Sequence, residues 1–411
     1  MHFEERQKEK NPLIYEFKDE KISLHAYIVI DSLRNGNSCG GLRISEDLNV
    51  EEIKALARNM TLKYCFLKLN VGGAKSGIIL PKNCTASQRT EILAAFGKKA
   101  SPLLVKRTYI PWTDLNSTVE DIATILKAAG CNFRSMSDSA YFTALSVVSA
   151  VKAACDVRKI DLQSMTVIIE GFGGVGLNIA SELSNLGAKI IGISTVKGAL
   201  YNPNGLNVKK LLQLKTKHKD DLVFHYGEDY LEKKELLLEM NTDILIPCAR
   251  TWSINEKNME KIKAKIIVPG ANVPLAEGIE KFFYNKEIVY LPDFVCNLGG
   301  IFGTALYDYG NRKNIVHDFI MDDFNQLVKR LILASYSKCQ PPSSIAQSIA
   351  KMNCQNNNQF TQEKSWMNKF FSNTLHKNID LKLLIPGYQA KKALRDQKKI
   401  FIENIQFMTE I

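Results

Sequence analysis

Residues Lys21 to Asp31, KISLHAYIVID, alternate polar and apolar side chains and then run apolar, the pattern of a strand entering a core. From Val50 to Leu67 the period changes. Ile53, Leu56, Ala57, Met60, Tyr64 and Leu67 recur at helical spacing, so this stretch predicts a helix with one apolar face. At about 100° per residue, Lys63 falls at the edge of that face near Leu56, while Lys54 and Arg58 point away from it. Lys63 therefore reads as a half-buried lysine, its stem packed and its amine reaching for water. From Ser164 to Thr195 the order is an apolar strand, a glycine turn, a helix and a second apolar strand at Lys189 to Ile193. Three more short apolar runs, Asp243 to Pro247, Lys265 to Pro269 and Ile288 to Pro292, predict strands that end in polar or small loops. After Thr304 a helical stretch runs to about Cys339. The following segment, QPPSSIAQSIAKMNCQNNNQFTQ, has the Gln, Asn and Ser content of a linker, and a basic amphipathic helix from Tyr388 to Met408 closes the chain.

Two glycine-rich stretches invite a phosphate reading, and they part company. In GFGGVG, the first glycine, Gly171, permits the tight bend, Gly173 lets backbone approach a pyrophosphate, and Gly176 lets helix pack on strand. The free N–H groups and dipole of the helix that follows favour an anion. Between a strand and a helix this motif predicts a dinucleotide site. The second stretch, NVGGAKSG at Asn70 to Gly77, fails the phosphate-loop pattern: Ala74 precedes Lys75 where glycine is required, and Lys68 stands where the first glycine would be. Lys75 is left as a candidate for chemistry.

Composition narrows the classes. With 411 residues and 45% hydrophobic content, two cores are expected. The charged start, MHFEERQKEKNP, lacks an apolar h-region and no later run approaches the roughly 18 apolar residues of a membrane span, so neither secretion nor membrane insertion is expected. Nine cysteines without a C-x-x-C pair predict neither a disulfide framework nor a zinc site, and a reducing cytoplasm is the expected home. The six histidines are equally scattered, and no metal is expected. A net charge of +11 is spread along the length without an aromatic-rich RNA motif, so neither nucleic acid nor membrane is an expected partner.

Nine blocks, GGLR at Gly40, MTLK at Met60, GGAKSG at Gly72, TDLNST at Thr113, GFGGVG at Gly171, YNPNGL at Tyr201, LIPCA at Leu245, GANVP at Gly270 and PDFVCNLGG at Pro292, together resemble the glutamate/leucine/phenylalanine/valine dehydrogenase family. They cover about residues 20 to 305. The resemblance implies an α/β chain: an N-terminal substrate and oligomerisation domain over 1–140, a Rossmann-type dinucleotide domain over 141–305, and a helical return over 306–339. Residues 340–411 remain a linker and terminal helix. It implies oxidative deamination of an L-amino acid, or the reverse amination, with NAD or NADP, and a homo-oligomer. Lys63 and Lys75 stand twelve residues apart, as the family's two active-site lysines do. By resemblance Lys63 binds the substrate carboxylate, Lys75 activates water and Asp114 shuttles protons. Gly40, Gly41, Cys39, Asn297 and Thr304 would line the substrate. The cofactor would meet Gly171, Phe172, Gly173, Gly174, Val175, Gly176, Ser194, Thr195, Thr143, Cys248, Ala249 and Asn272. A desolvated lysine near a second ammonium should also have a lowered pKa, as an amine base requires.

Three departures from the family pattern matter. Cys39 stands where the glutamate-specific members resemble one another in carrying a lysine, which points to a neutral apolar or aromatic substrate. Thr304 fits either class. The second strand ends in Ile193-Ser194-Thr195-Val196-Lys197 without an aspartate, so Ser194, Thr195 and Lys197 become possible donors and the balance tips slightly to NADP. The competing readings are a glutamate dehydrogenase proper, an enzyme sharing only a related cofactor domain, and a catalytically silent nucleotide-binding relative.

Overall fold

A computed structural model describes residues 11–133, 137–227, 229–356 and 387–410. The chain divides into two units, Met1–Tyr64 with Asn70–Ser135, and Cys65–Leu69 with Met136–Ile411.

The first unit is built on a five-stranded sheet. Its strands are β1 (Leu13–Asp19), β2 (Leu24–Ile30), β3 (Ser38–Ser45), β4 (Gly72–Ile79) and β5 (Ile110–Thr113), in the order β1-β2-β4-β3-β5. β4 pairs in parallel with β3 and antiparallel with β2, so it is covered on both edges. The pleat sorts the residues by face. Leu42, Ile44, Ala74 and Ile78 join Ile92, Phe96 and Ile125 in the core under the helices α2 (Ala86–Val105) and α3 (Val119–Ala128). The alternate positions, Cys39, Gly41 and Arg43 on β3 and Gly73, Lys75 and Gly77 on β4, share the other face. There α1 (Val50–Phe66) lies close enough that a Cβ on Gly73 would sit 2.1 Å from the Thr61 backbone nitrogen. NVGGAKSG is therefore a buried strand whose glycines admit a helix.

In the second unit the strands are β6 (Thr166–Glu170), β7 (Lys189–Thr195), β8 (Gly198–Tyr201), β9 (Tyr230–Leu231), β10 (Ile244–Pro247), β11 (Ile266–Ile267) and β12 (Val289–Tyr290). They run β12-β11-β10-β6-β7-β8-β9, parallel from β12 to β7, with β8 and β9 turned back as an antiparallel edge. The chain leaves β6 toward β7 on one side and returns to β10 on the other, so the strand order reverses at β6. That is where ligands of doubly wound sheets bind. The Rossmann-type expectation is met, including the strands at β10, β11 and β12. Around the sheet stand α4 (Ala140–Val157), α5 (Gly174–Asn185) and later helices.

The structure corrects three expectations. Residues Pro342–Asn356 form a helix that buries Ile345, Ala346, Ile349 and Ala350, where composition suggested a linker; the rest of that segment, 357–386, lies outside the described residues. The closing helix runs Gly387–Glu410, close to expectation. α4 is long and apolar enough to cross a membrane by length and composition, yet most of it is buried inside the protein. Finally, Cys65 and Cys354 form a disulfide, leaving seven free cysteines. A separation of 289 residues hides such a pair from any reading of spacing. Beside the bridge, Asn353 and Asn404 both donate to the Phe66 carbonyl, and Lys68 pairs with Glu403 at 2.5 Å.

Candidate active site

Lys75 is 2% exposed and Lys63 5% exposed, so both lysines are buried, Lys63 more deeply than the helical period suggested. The Lys75 Nζ lies 3.1 Å from Asp114 Oδ1. Asp114 follows β5 in the TDLNST loop, where its N–H donates to Ser117 Oγ, and Thr118 caps α3 in a capping box with Asp121. Asp114 is thus free of capping duty. Its other oxygen, Oδ2, accepts from Arg43 Nε at 2.8 Å, and Arg43 NH1 reaches Glu52 at 2.6 Å. Four charges of alternating sign run from β4 through the loop and β3 to α1.

Burial pushes the Lys75 amine below its ordinary value; Asp114 pulls it back up, and the Arg43 guanidinium pushes it further down. The lowered pKa was expected from a second ammonium, but the second cation is Arg43. Burial alone would raise the Asp114 carboxyl, yet Arg43 and Lys75 together hold it well below the usual carboxylate range. Gly41 leaves no room for a side chain: a Cβ there would lie 2.7 Å from Asp114 Cβ and 3.4 Å from Lys75 Nζ. Gly40 packs against the Ala74 carbonyl in the same way, and its own carbonyl accepts from Tyr109. Cys39, on the same face, is fully buried, and burial pushes its thiol up to about 12 despite hydrogen bonds with Tyr64 and Trp112. It is a neutral group in an aromatic setting.

In the second unit, Gly171 takes a φ of +98°, and a Cβ on Gly176 would lie 1.9 Å from the Gly171 carbonyl oxygen. Helix α5 therefore starts tight against the turn. Gly173, its N-cap, has no side-chain cap, and a Cβ there would meet nothing within 4 Å. Exposed Gly173 and Gly174 leave the first N–H groups open to an anion, with Val175 half-buried beside them and Phe172 buried beneath. These residues fit a dinucleotide pyrophosphate.

At the end of β7 the expectation needs revision. Ser194 and Thr195 are buried, Ser194 Oγ accepting the Gly171 N–H and Thr195 Oγ1 donating to the Asp220 carbonyl. Of the three donors counted toward a 2′-phosphate, only Lys197 is exposed. Thr143 donates to the carbonyl of Ser139, the N-cap of α4, and Gly300 packs on its hydroxyl oxygen. Cys248 and Ala249 follow β10, and burial raises the Cys248 thiol. Asn297 Nδ2 binds the Gly270 and Ala271 carbonyls and Asn272 Oδ1, whereas Asn297 Oδ1 and the hydroxyl of Thr304 are buried without a partner. Two orphaned polar atoms in one unit mark places where a polar ligand would be welcome.

Sequence reasoning missed Arg43, Glu52, Tyr64, Trp112 and Glu170 as site neighbours. Glu52 had a signal: it precedes Lys63 by eleven residues, about 20° on the helical wheel, so the period that singled out Lys63 also selects Glu52. Glu170 ends β6 beside Gly171, accepting from Ser253 Oγ at 3.1 Å. Burial raises its carboxyl to about 7, against that hydrogen bond, the Ala249 N–H and the charges of Lys234 and Arg250.

The family model described as Glutamate/Leucine/Phenylalanine/Valine dehydrogenase matches residues 136–363, and its companion, the Glu/Leu/Phe/Val dehydrogenase dimerisation domain, matches residues 14–131. The chain belongs to this dehydrogenase family. A glutamate dehydrogenase from Thermotoga maritima is 28% identical over 330 residues, covering 74% of this chain and 79% of that protein. The NADP-specific glutamate dehydrogenase of Saccharolobus shibatae is 32% identical over 291 residues, 67% of this chain and 68% of its own. Among solved dehydrogenases of this fold, the hetero-hexameric glutamate dehydrogenase from Thermus thermophilus superposes with a TM-score of 0.71 at 18% identity, covering 85% of this chain and 88% of that one. The L-tryptophan dehydrogenase from Nostoc punctiforme gives 0.56 at 22% identity over 84% and 96%.

Proposed function

We propose that this member of the dehydrogenase family converts an L-amino acid with a neutral apolar or aromatic side chain to its 2-oxo acid and ammonia, or runs the reverse amination, using NAD or NADP. The observation that carries it is the desolvated Lys75 ammonium paired to Asp114 at 3.1 Å. When bound, the dinucleotide supplies the hydride acceptor at its nicotinamide. Lys75, made more acidic by burial, releases its proton nearer neutrality and then takes one from the water that attacks the substrate imine. Asp114, held as an anion between two cations, receives the substrate ammonium and exchanges protons with its nitrogen. Lys63 binds the α-carboxylate through a charge-assisted hydrogen bond. Asn297 and Thr304 offer their unpartnered oxygens to substrate, and Gly171 to Gly176 hold the pyrophosphate. Cys248, Ala249, Asn272 and Thr143 are assigned to the nicotinamide end. The N-terminal match to a dimerisation domain supports a homo-oligomer.

Cys39 supports the choice of a neutral side chain. A glutamate substrate brings a second carboxylate, and burying it without a cation costs several kcal/mol. A neutral thiol beside Tyr64 and Trp112 provides no cation. Glutamate is the second reading, favoured by the names of the relatives that share 28–32% identity. A spectrophotometric screen of the twenty amino acids, and of 2-oxo acids with ammonia, against NAD and NADP separates the two. Leucine, valine, phenylalanine or tryptophan should exceed glutamate in kcat/KM, and Cys39→Lys should move preference toward glutamate. A tenfold advantage for glutamate in the unaltered protein, about 1.4 kcal/mol in transition-state binding, would overturn the pocket argument.

A further inference from the structure

Glu52 touches neither lysine in any contact described above, yet it is buried and holds the far end of the charge chain. We infer that Glu52 is a positioning residue: through Arg43 it fixes Asp114 so that one carboxylate oxygen is left for Lys75, and it keeps the buried cluster electrically balanced.

The geometry assigns the parts. Arg43 uses Nε for Asp114 and NH1 for Glu52, so its guanidinium plane is set from both ends. Asp114 Oδ2 is thereby occupied and Oδ1 faces Lys75 Nζ. Glu52 is itself anchored by its N–H, which donates to Asn49 Oδ1 in the first turn of α1. The charges count to zero with Glu52 and to plus one without it. The charged groups that act on Lys75 are Arg43 on β3, Asp114 after β5 and Glu52 on α1; the Cys39 thiol on β3 and the Tyr109 hydroxyl near Asp114 are un-ionised, and Lys63 adds a further cation on α1. In a medium this desolvated, one uncompensated charge acts over the length of the chain. Removing the Glu52 charge therefore favours loss of the Lys75 proton, and removing Arg43 as well restores the balance.

This inference rests on the reading of Lys75 and Asp114 given above, so the test is chosen to work without turnover. In urea unfolding of the intact protein between pH 6 and 10, Glu52→Gln should destabilise most at low pH. The deficit should shrink as pH rises, because Glu52 favours only the protonated Lys75. In a Lys75→Met background the same substitution should give a pH-independent deficit. Where turnover is found, the ascending limb of kcat/KM should move down by about one pH unit in Glu52→Gln. It should return toward its original position in the Arg43→Gln/Glu52→Gln pair, which also covers the case in which the single variant fails to fold. A pH-independent deficit in both backgrounds, or an unmoved limb in the variants, would reduce Glu52 to a structural ion-pair partner and overturn the inference. If the pH linkage appears and no amino acid is turned over, the positioning role stands and the proposed function falls.

Discussion

The lysine centre of the first unit and the glycine turn of the second are built on opposite principles. The turn is six consecutive residues whose work is done by backbone: an open N-cap at Gly173, a φ of +98° at Gly171 and a contact at Gly176 that admits no side chain. The lysine centre is made of side chains only. Its members come from two strands, a helix and a loop, with Arg43 and Asp114 separated by 71 residues. A backbone site tolerates change wherever space is open. A buried charge site does not, because deleting one partner strands the other, at a typical cost of about 3–5 kcal/mol. On the proposed roles, the contrast separates proton chemistry from anion binding, and each should be lost without the other.

The sharpest way to break that separation is Lys75→Ala. Turnover should fall by more than about a thousandfold while dinucleotide affinity, read by fluorescence titration, stays within a factor of two. Parallel loss of both would mean that Lys75 serves dinucleotide binding as well. A second comparison lies inside the turn. Gly176→Ala forces a Cβ onto the Gly171 carbonyl and should lower stability by about 2 kcal/mol. Gly173→Ala meets open space, so it should unfold at the unaltered temperature yet bind dinucleotide about tenfold more weakly, because the methyl stands where the pyrophosphate approaches. Equal unfolding losses in the two variants would remove the distinction.

The comparison is sharpened further by the titrating carboxyl of Glu170 next to the turn. Glu170 keeps its proton to about pH 7 when folded, against an ordinary value of 4.5. The folded state thus binds more protons between those values, and stability present below pH 4.5 is lost as pH rises through 7. With its partial exposure the loss should be about 2 kcal/mol in denaturant titrations. Glu170→Gln should flatten the profile over that window, and an unchanged slope would assign the pH dependence elsewhere.

The two regions also differed in how much of them could be read in advance. The strand, turn, helix and strand around Gly171 are local, and their period and glycines mark them directly. Helical phase marked Lys63 only as a half-buried lysine and the failed phosphate-loop pattern left Lys75 as a candidate for chemistry; their pairing in one site came from the family resemblance. Arg43 was quoted within a motif, but its partners lie on other elements, so its part in the site required the register of β3 against β4. The hydroxyls of Ser194 and Thr195 looked available because nothing in the sequence shows that Gly171 and Asp220, over twenty residues away, already engage them. The helix Pro342–Asn356 was missed for a different reason. Its Gln, Asn and Ser content outweighed a narrow apolar stripe, and Pro342 stands at the first helical position, where it is well tolerated.

The bridge between Cys65 and Cys354 makes most of this chain a covalent ring with two loose ends. β4 with Lys75, the loop with Asp114 and the whole parallel sheet lie on the ring, whereas Arg43, Glu52 and Lys63 lie on the N-terminal end, Lys63 only two residues outside it. A single backbone cut anywhere within the ring leaves the pieces in one molecule, to be parted only by a reductant. Closing a loop of 289 residues also removes a large share of the unfolded chain's freedom, about 6 kcal/mol in the chain-entropy account. The two lysines, twelve positions apart in sequence, thus fall on either side of a knot that defines which parts of the protein can wander when it opens.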